Sequence, residues 1–176
     1  MTQPTNPSFR PPNTTLASDS QLVVVLVEPR IPQNTGNIAR LCQCTGSSLY
    51  LVGSMGFRLG DKYLKRAGMD YLEDIEIHHV KEFQDVLNAF SGWTPFFLSS
   101  KAKKSYTDCV YPQKSLLVFG SEDKGLPSWL VEDPTHADQV LRIPMVSDAR
   151  SLNLSTSVGI VVYEALRQRQ EAAYAG

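Results

Sequence analysis

Apolar positions along this chain switch between two spacings. Residues 22–27, LVVVLV, form an unbroken run of valine and leucine, the mark of a strand buried on both faces. From 34 to 43 the spacing becomes helical: Ile38, Leu41 and Cys42 share one face, and Gly46 stands where a C-terminal cap belongs. Residues 48–52 predict the next strand, 61–67 a short helical turn and 71–77 a weak strand. Residues 81–90 predict a helix with Phe83, Val86, Leu87 and Phe90 on its apolar stripe. Buried strands are expected over 95–99, 115–119 and 140–143. The stretch 154–168 contains GIVVY, which suits a strand. Leu154, Val158, Val161, Val162, Ala165 and Leu166 nevertheless keep helical spacing for more than three turns, and that decides for a helix. Strands alternating with helices imply an α/β domain with an open, mostly parallel sheet.

Composition changes this picture little. Of 176 residues, 42% are hydrophobic and 20% charged, which suits one soluble domain with a real core. Residues 1–20 hold four prolines and no apolar run, so they are expected to be a flexible tail ahead of a domain over 21–176. The longest apolar runs fall far short of the ~20 residues that span a bilayer, and the N-terminus does not read as a signal peptide. A cytoplasmic chain with reduced thiols and no membrane partner is expected. Cys42, Cys44 and Cys109 lack C-x-x-C spacing, and His78, His79 and His136 do not stand at ligand spacing to them, so no metal is expected. Cys42 and Cys44 instead fit the inner side of a helix. The net charge of −1 shows no global basicity, so any nucleic-acid contact must rest on local charge.

Parallel sheets bind ligands at the carboxyl ends of their strands. Three strand ends carry unusual loops: EPRIPQNTGNIAR after 22–27, GSEDKGLP after 115–119, and PMVSDARSLNLS after the strand over 140–143. The glycines of GSEDKGLP match neither a dinucleotide fingerprint nor a P-loop, and a plain glycine turn is as good a reading. Asn34 or Thr35 would serve as a helix cap. Arg40 lies off the apolar stripe, where spacing alone leaves a surface ion pair or a site group open. No G-x-S-x-G elbow is present, and the histidines lie away from these loops, which speaks against a hydrolase. What remains is a site of neutral hydrogen-bonding groups with Arg40, Glu122 and Arg150 as its charges. Such a site suits a polar cofactor and a reaction that needs orientation more than strong acid–base chemistry.

Together, NTGNIARLC, FGSEDKGLP and IPMVSDARSLNLSTSVGIVVYEALRQ resemble the three signature motifs of the SPOUT-class (TrmH/SpoU) RNA 2′-O-ribose methyltransferases. The likeness is nearest to the small TrmL (YibK-like) subgroup and extends over roughly 22–169 through MGFRLGDKYLKRAGMDY and FFLSSK. It implies an open sheet with a C-terminal deep trefoil knot, a homodimer, and S-adenosylmethionine as methyl donor. It also implies the ribose 2′-hydroxyl of the wobble nucleotide of leucine tRNAs as acceptor. Carried over motif by motif, Leu98, Gly120, Ile143, Met145, Ser151 and Leu152 are cofactor contacts. Asn34, Arg40, Glu122, Ser151 and Asn153 match positions of catalysis or site architecture. Arg40 suits phosphate binding better than proton abstraction, because a guanidinium keeps its proton.

Local charge for RNA lies in Lys62, Lys65 and Arg66, in Arg150, and in Lys101, Lys103 and Lys104, although solvated loops are the plainer reading of that last cluster. The likeness places Tyr163 near the dimer interface and RNA; a core tyrosine is the alternative. Pairing through the last helix would further cover the stripe of Val158, Val161, Val162 and Leu166. Gly120 is expected to admit the cofactor closely, so that a bulky replacement blocks binding and spares the fold. Two other functions remain open: the same chemistry on another tRNA position or ribosomal RNA, and a catalytically silent knotted RNA-binding dimer.

Overall fold

A computed structural model of the chain describes residues 21–57 and 77–174. The tail, the turn over 61–67, residues 71–76 of the weak strand, and Lys62, Lys65 and Arg66 lie outside the described residues. Chain order runs β1 (Leu22–Val27), α1 (Pro32–Thr45), β2 (Ser48–Val52), β3 (Ile77–Val80), α2 (Phe83–Ala89), β4 (Thr94–Leu98), β5 (Lys104–Ser105) and β6 (Ser115–Phe119). It continues through α3 (Ser128–Val131), a 3₁₀ turn (Pro134–Gln139), β7 (Val140–Arg142) and α4 (Leu154–Tyr174). The long elements fall where the periodicity puts them. The four-residue α3, the two-residue β5 and the 3₁₀ turn carry no period long enough to read.

The seven strands are ordered β3-β2-β1-β6-β4-β7-β5, and every pairing is parallel. β1 lies between β2 and β6, with Val24 opposite Leu49 on one side and Leu117 on the other. Strand alternation then sorts the core into two halves. Val24, Leu26, Leu49, Leu51 and Phe119 face α1 and α4, while Val23, Val25, Leu116 and Val118 face α2 and α3. β1 is buried along its whole length because both faces are covered.

α1 begins with Pro32 in its first turn, and Ile31 at the N-cap position supplies no side-chain bond. Asn34 and Thr35 are buried inside the helix and do not cap it. At the other end Gly46 adopts φ 64, and its N–H and that of Ser47 close the last turn onto Gln43 and Cys42 carbonyls. Of the two cysteines assigned to the inner side, only Cys42 is buried; Cys44 is exposed, two positions and some 200° around the helix. Burial pushes the Cys42 thiol up to about 12. On α4, Val158, Val161, Val162 and Ala165 are already fully buried and Leu166 nearly so. This stripe is the chain's own core and is not available to a second copy. Tyr163 is exposed on the opposite side, so it is not a core tyrosine. Among the described residues no helix is long and apolar enough to cross a membrane.

Candidate active site

Strands β1 to β3 run outward on one side of β1, and β4 to β7 fill the other, so strand order reverses between β1 and β6. A crevice at the carboxyl ends of the strands is expected at such a reversal. A cavity of about 1070 Å³ opens there, reached by Val27 and Glu28 from β1 and by Phe119 and Gly120 from β6. Leu98, Gly120, Ile143, Met145, Ser151 and Leu152 all line it. So do Asn34, Glu122, Arg150 and Asn153. Three loops far apart in sequence thus close around one space.

Glu122 organises their junction. Its carboxylate accepts from the Arg30 N–H at 2.8 Å, the Ile31 N–H at 3.1 Å and Asn34 Nδ2 at 2.9 Å. This anion supplies what α1 lacks locally, since the N-cap side chain makes no bond and the first turn holds no acid. Asn34 passes the connection on: its Oδ1 accepts from Asn153 Nδ2 at 2.9 Å. Asn153 Oδ1 in turn accepts from Thr156 N–H and Ser155 Oγ, which caps the start of α4. One chain of hydrogen bonds therefore joins the loop after β6 to the first turns of both α1 and α4.

The loop after β6 is held by its own backbone. Ser121 N–H donates to Gly125 O at 3.2 Å, and Gly125 N–H returns to Ser121 O at 2.9 Å. A Cβ on Gly120 would lie 1.9 Å from the Gly125 carbonyl carbon and 2.1 Å from Leu126 N. The close approach at Gly120 is therefore made by the chain itself. A bulky residue there cannot spare the fold, contrary to the expectation from sequence.

Three further carboxylates line the cavity: Glu28, Asp123 and Glu132. Hydrogen bonding to Ser121 holds the Asp123 carboxyl below its usual range. Glu28, which no motif singles out, lines the cavity in the left-handed region at φ 51. Such a conformation costs a non-glycine residue ~1 kcal/mol and is retained only when surroundings enforce it. Here the Glu28 N–H is tied to Val52 O at 2.8 Å and its carboxylate to Arg30 at 2.7 Å. Its signal in the sequence was its place, the first residue beyond β1 at the point where strand order reverses.

Two expected groups stand elsewhere. Arg40 is exposed on α1, six residues beyond Asn34 and about 9 Å further along the axis, and does not line the cavity. Tyr163 is likewise off the cavity, on the outer side of α4. Both helices cover the same face of the sheet, so Arg40 and Tyr163 share the solvent side of one helical layer. The lysine cluster divides: Lys101 lines the cavity, Lys103 is exposed and does not line it, and Lys104 Nζ donates to Asp138 O at 3.0 Å.

Residues 21–163 match the SpoU rRNA Methylase family. The chain belongs to that family. Within it, the chain is 44% identical over 152 residues to the tRNA (cytidine(34)-2′-O)-methyltransferase of Yersinia pestis, covering 84% of this chain and 93% of the relative. A solved structure described as giving insights into 2-OH methylation of C/U34 on tRNA superposes with a TM-score of 0.79 at 36% identity, over 85% of this chain and 97% of that one. The SpoU methyltransferase AviRb of Streptomyces viridochromogenes, solved with AdoMet, gives 0.74 at 26% identity, over 86% of this chain and 58% of its own.

SpoU methylases use S-adenosylmethionine, and the cavity suits that molecule. Its volume lies just above the usual range for a site that holds one drug-sized ligand. Half-buried Leu98, Ile143 and Met145 give it apolar walls for an adenine ring. Four carboxylates, Glu28, Glu122, Asp123 and Glu132, stand against three cations on its lining, a balance compatible with a sulfonium.

Proposed function

We propose that this chain transfers a methyl group from S-adenosylmethionine to the ribose 2′-hydroxyl of nucleotide 34, a cytidine or modified uridine, in leucine tRNAs. The observation that carries this reading is the closure of three distant loops around one cavity, tied together through Glu122, Asn34 and Asn153. The expected knot, the homodimer and a cytoplasmic setting belong to the same proposal.

The cofactor supplies a methyl group already activated by its sulfonium. The protein must therefore hold the attacking oxygen in line, let its proton leave and keep water out. Leu98, Ile143, Met145 and Leu152 would form the cofactor's apolar walls, with Ser151 offering a hydroxyl at the cavity edge. Asn34 and Asn153, oriented through Glu122, would present fixed dipoles to the ribose. Arg40 stands off the cavity, so its planar fork suits the RNA backbone next to the target ribose and not the methyl group. With the α4 stripe buried, the second copy would dock on the outer side of the layer formed by α1 and α4. Tyr163 is exposed there, and such a contact would bring Arg40 close to the shared RNA.

Mass-spectrometric mapping of ribose methylation, in tRNA from cells with and without the gene, tests the substrate. Methylation lost from nucleotide 34 of leucine tRNAs is expected; loss at another tRNA position or in ribosomal RNA would move the reading to that substrate. An unchanged methylation map, together with RNA binding by the purified chain, would favour a silent RNA-binding dimer. Sedimentation finding an active monomer at assay concentrations would remove the dimer.

A further inference from the structure

The charges lining the cavity differ in how they are used. Of its four carboxylates, Glu122 is taken up by three N–H donors and Glu28 by Arg30. Its three cations, Lys101, Lys124 and Arg150, are exposed and enter no hydrogen bond through their side chains and no ion pair among the described residues. They come from three different loops, after β4, after β6 and before α4. Lys101 is set apart from its sequence cluster, because Lys104 is tied to Asp138 O and Lys103 does not line the cavity.

We propose that Lys101 and Lys124 join Arg150 as a phosphate clamp at the cavity rim, binding the RNA phosphodiesters that flank the target ribose. This rests on the function proposed above and adds two substrate-positioning residues to it. Anionic oxygen is the ligand chemistry that unpaired cations take. It has two sources here: the RNA backbone and the carboxylate of the cofactor's methionine part. Three exposed cations exceed what one carboxylate needs, and flexible lysines at a solvent-facing rim suit a backbone that is positioned without being read. The clamp also gives a chain of net charge −1 its local attraction for RNA.

The test compares Lys101→Ala, Lys124→Ala and the double variant with Lys114→Ala, which removes the same charge beside the amino end of β6, away from the cavity. Each clamp variant is expected to raise KM for tRNA at least fivefold with kcat within twofold. The slope of log(kcat/KM) against log[salt] should become shallower by roughly 0.7–0.9 per lysine removed. Affinity for S-adenosylmethionine, measured by calorimetry, should stay within twofold, and Lys114→Ala should stay near wild type. Lys101→Arg should retain the wild-type slope. Loss of cofactor affinity in parallel with KM would reassign the lysines to the methionine carboxylate and overturn the clamp. Equal effects from Lys114→Ala would reduce it to diffuse attraction and overturn it as well. If the wild type methylates no tRNA, the functional reading fails, while the same salt slopes in RNA filter binding still decide the clamp.

Discussion

Two walls of the same cavity are built differently. The wall after β6 is knit: residues 121 and 125 exchange backbone hydrogen bonds, Gly120 packs against Gly125 and Leu126, and Glu122 holds the start of α1. The wall before α4 is open. Over residues 144–152 the one hydrogen bond among the described residues is Ala149 N–H to Val146 O at 3.1 Å. Val146 is 78% and Leu152 38% exposed, so apolar side chains stand in water there. A knit wall carries its ordering cost in folding; an open one carries it when the ligand arrives. Substitutions on the first should therefore appear as lost stability, and on the second as lost binding.

The largest effect is expected at Gly120. In Gly120→Ala the new methyl meets backbone, which cannot swing aside as a side chain can. A loss of ~4 kcal/mol, at the upper end for single substitutions, is expected in denaturant unfolding. A variant as stable as wild type would show that the knit wall yields as readily as the open one.

Glu122→Ala comes next. It leaves the Arg30 and Ile31 N–H groups and the Asn34 amide without their acceptor. These groups are only partly buried, so water recovers some of the loss, and about 2–3 kcal/mol is expected. Glu122→Gln keeps an acceptor oxygen without its charge, and should cost about half as much. Unchanged thermal unfolding in Glu122→Ala would mean the wall does not depend on its carboxylate.

Asn153 stands where the two walls meet. Asn153→Ala removes the cap of α4 and the bond to Asn34, for an expected ~1–2 kcal/mol. Methyl transfer should fall more steeply than stability, because Asn34 loses its orientation. Equal activity at matched folded fraction would confine Asn153 to capping.

The same contrast explains what could be read from sequence. Strands such as LVVVLV and the helix of Val158, Val161 and Val162 are legible because many residues repeat one period, and burial on a covered sheet follows from it. The knit wall was legible only as a motif. Nothing in GSEDKGLP says that Glu122 reaches back 92 residues to the Arg30 N–H, because that bond exists only once β1 and β6 are neighbours. Glu28, Lys101 and Lys124 owe their place in the site to that adjacency and to loop direction. Cys44 departs from the inward expectation for a simpler reason: two helical positions turn the side chain ~200°, so Cys42 and Cys44 cannot both face inward. The stripe on α4 showed that it needs cover, but not whether the cover is the sheet or a second chain.

The smallest change in stability, and the sharpest test of the open wall, is expected from Leu152→Ser. Leu152 is partly exposed and packs into no core cluster, so its removal should leave unfolding within ~0.5 kcal/mol of wild type. In the cofactor complex the same side chain would be covered, and losing it forfeits about 1 kcal/mol of apolar burial, roughly a fivefold weaker Kd. Amide exchange can follow the ordering directly. The N–H groups of Arg30, Ile31, Asn34, Thr35, Ser121 and Gly125 should be protected with or without S-adenosylmethionine, whereas 146–152 should exchange freely until it is added. In Leu152→Ser that added protection should appear only at higher cofactor concentration. Protection of 146–152 without any cofactor would show that both walls are built in advance. A fall in melting temperature matching that of Asn153→Ala would place Leu152 on the knit side of the cavity.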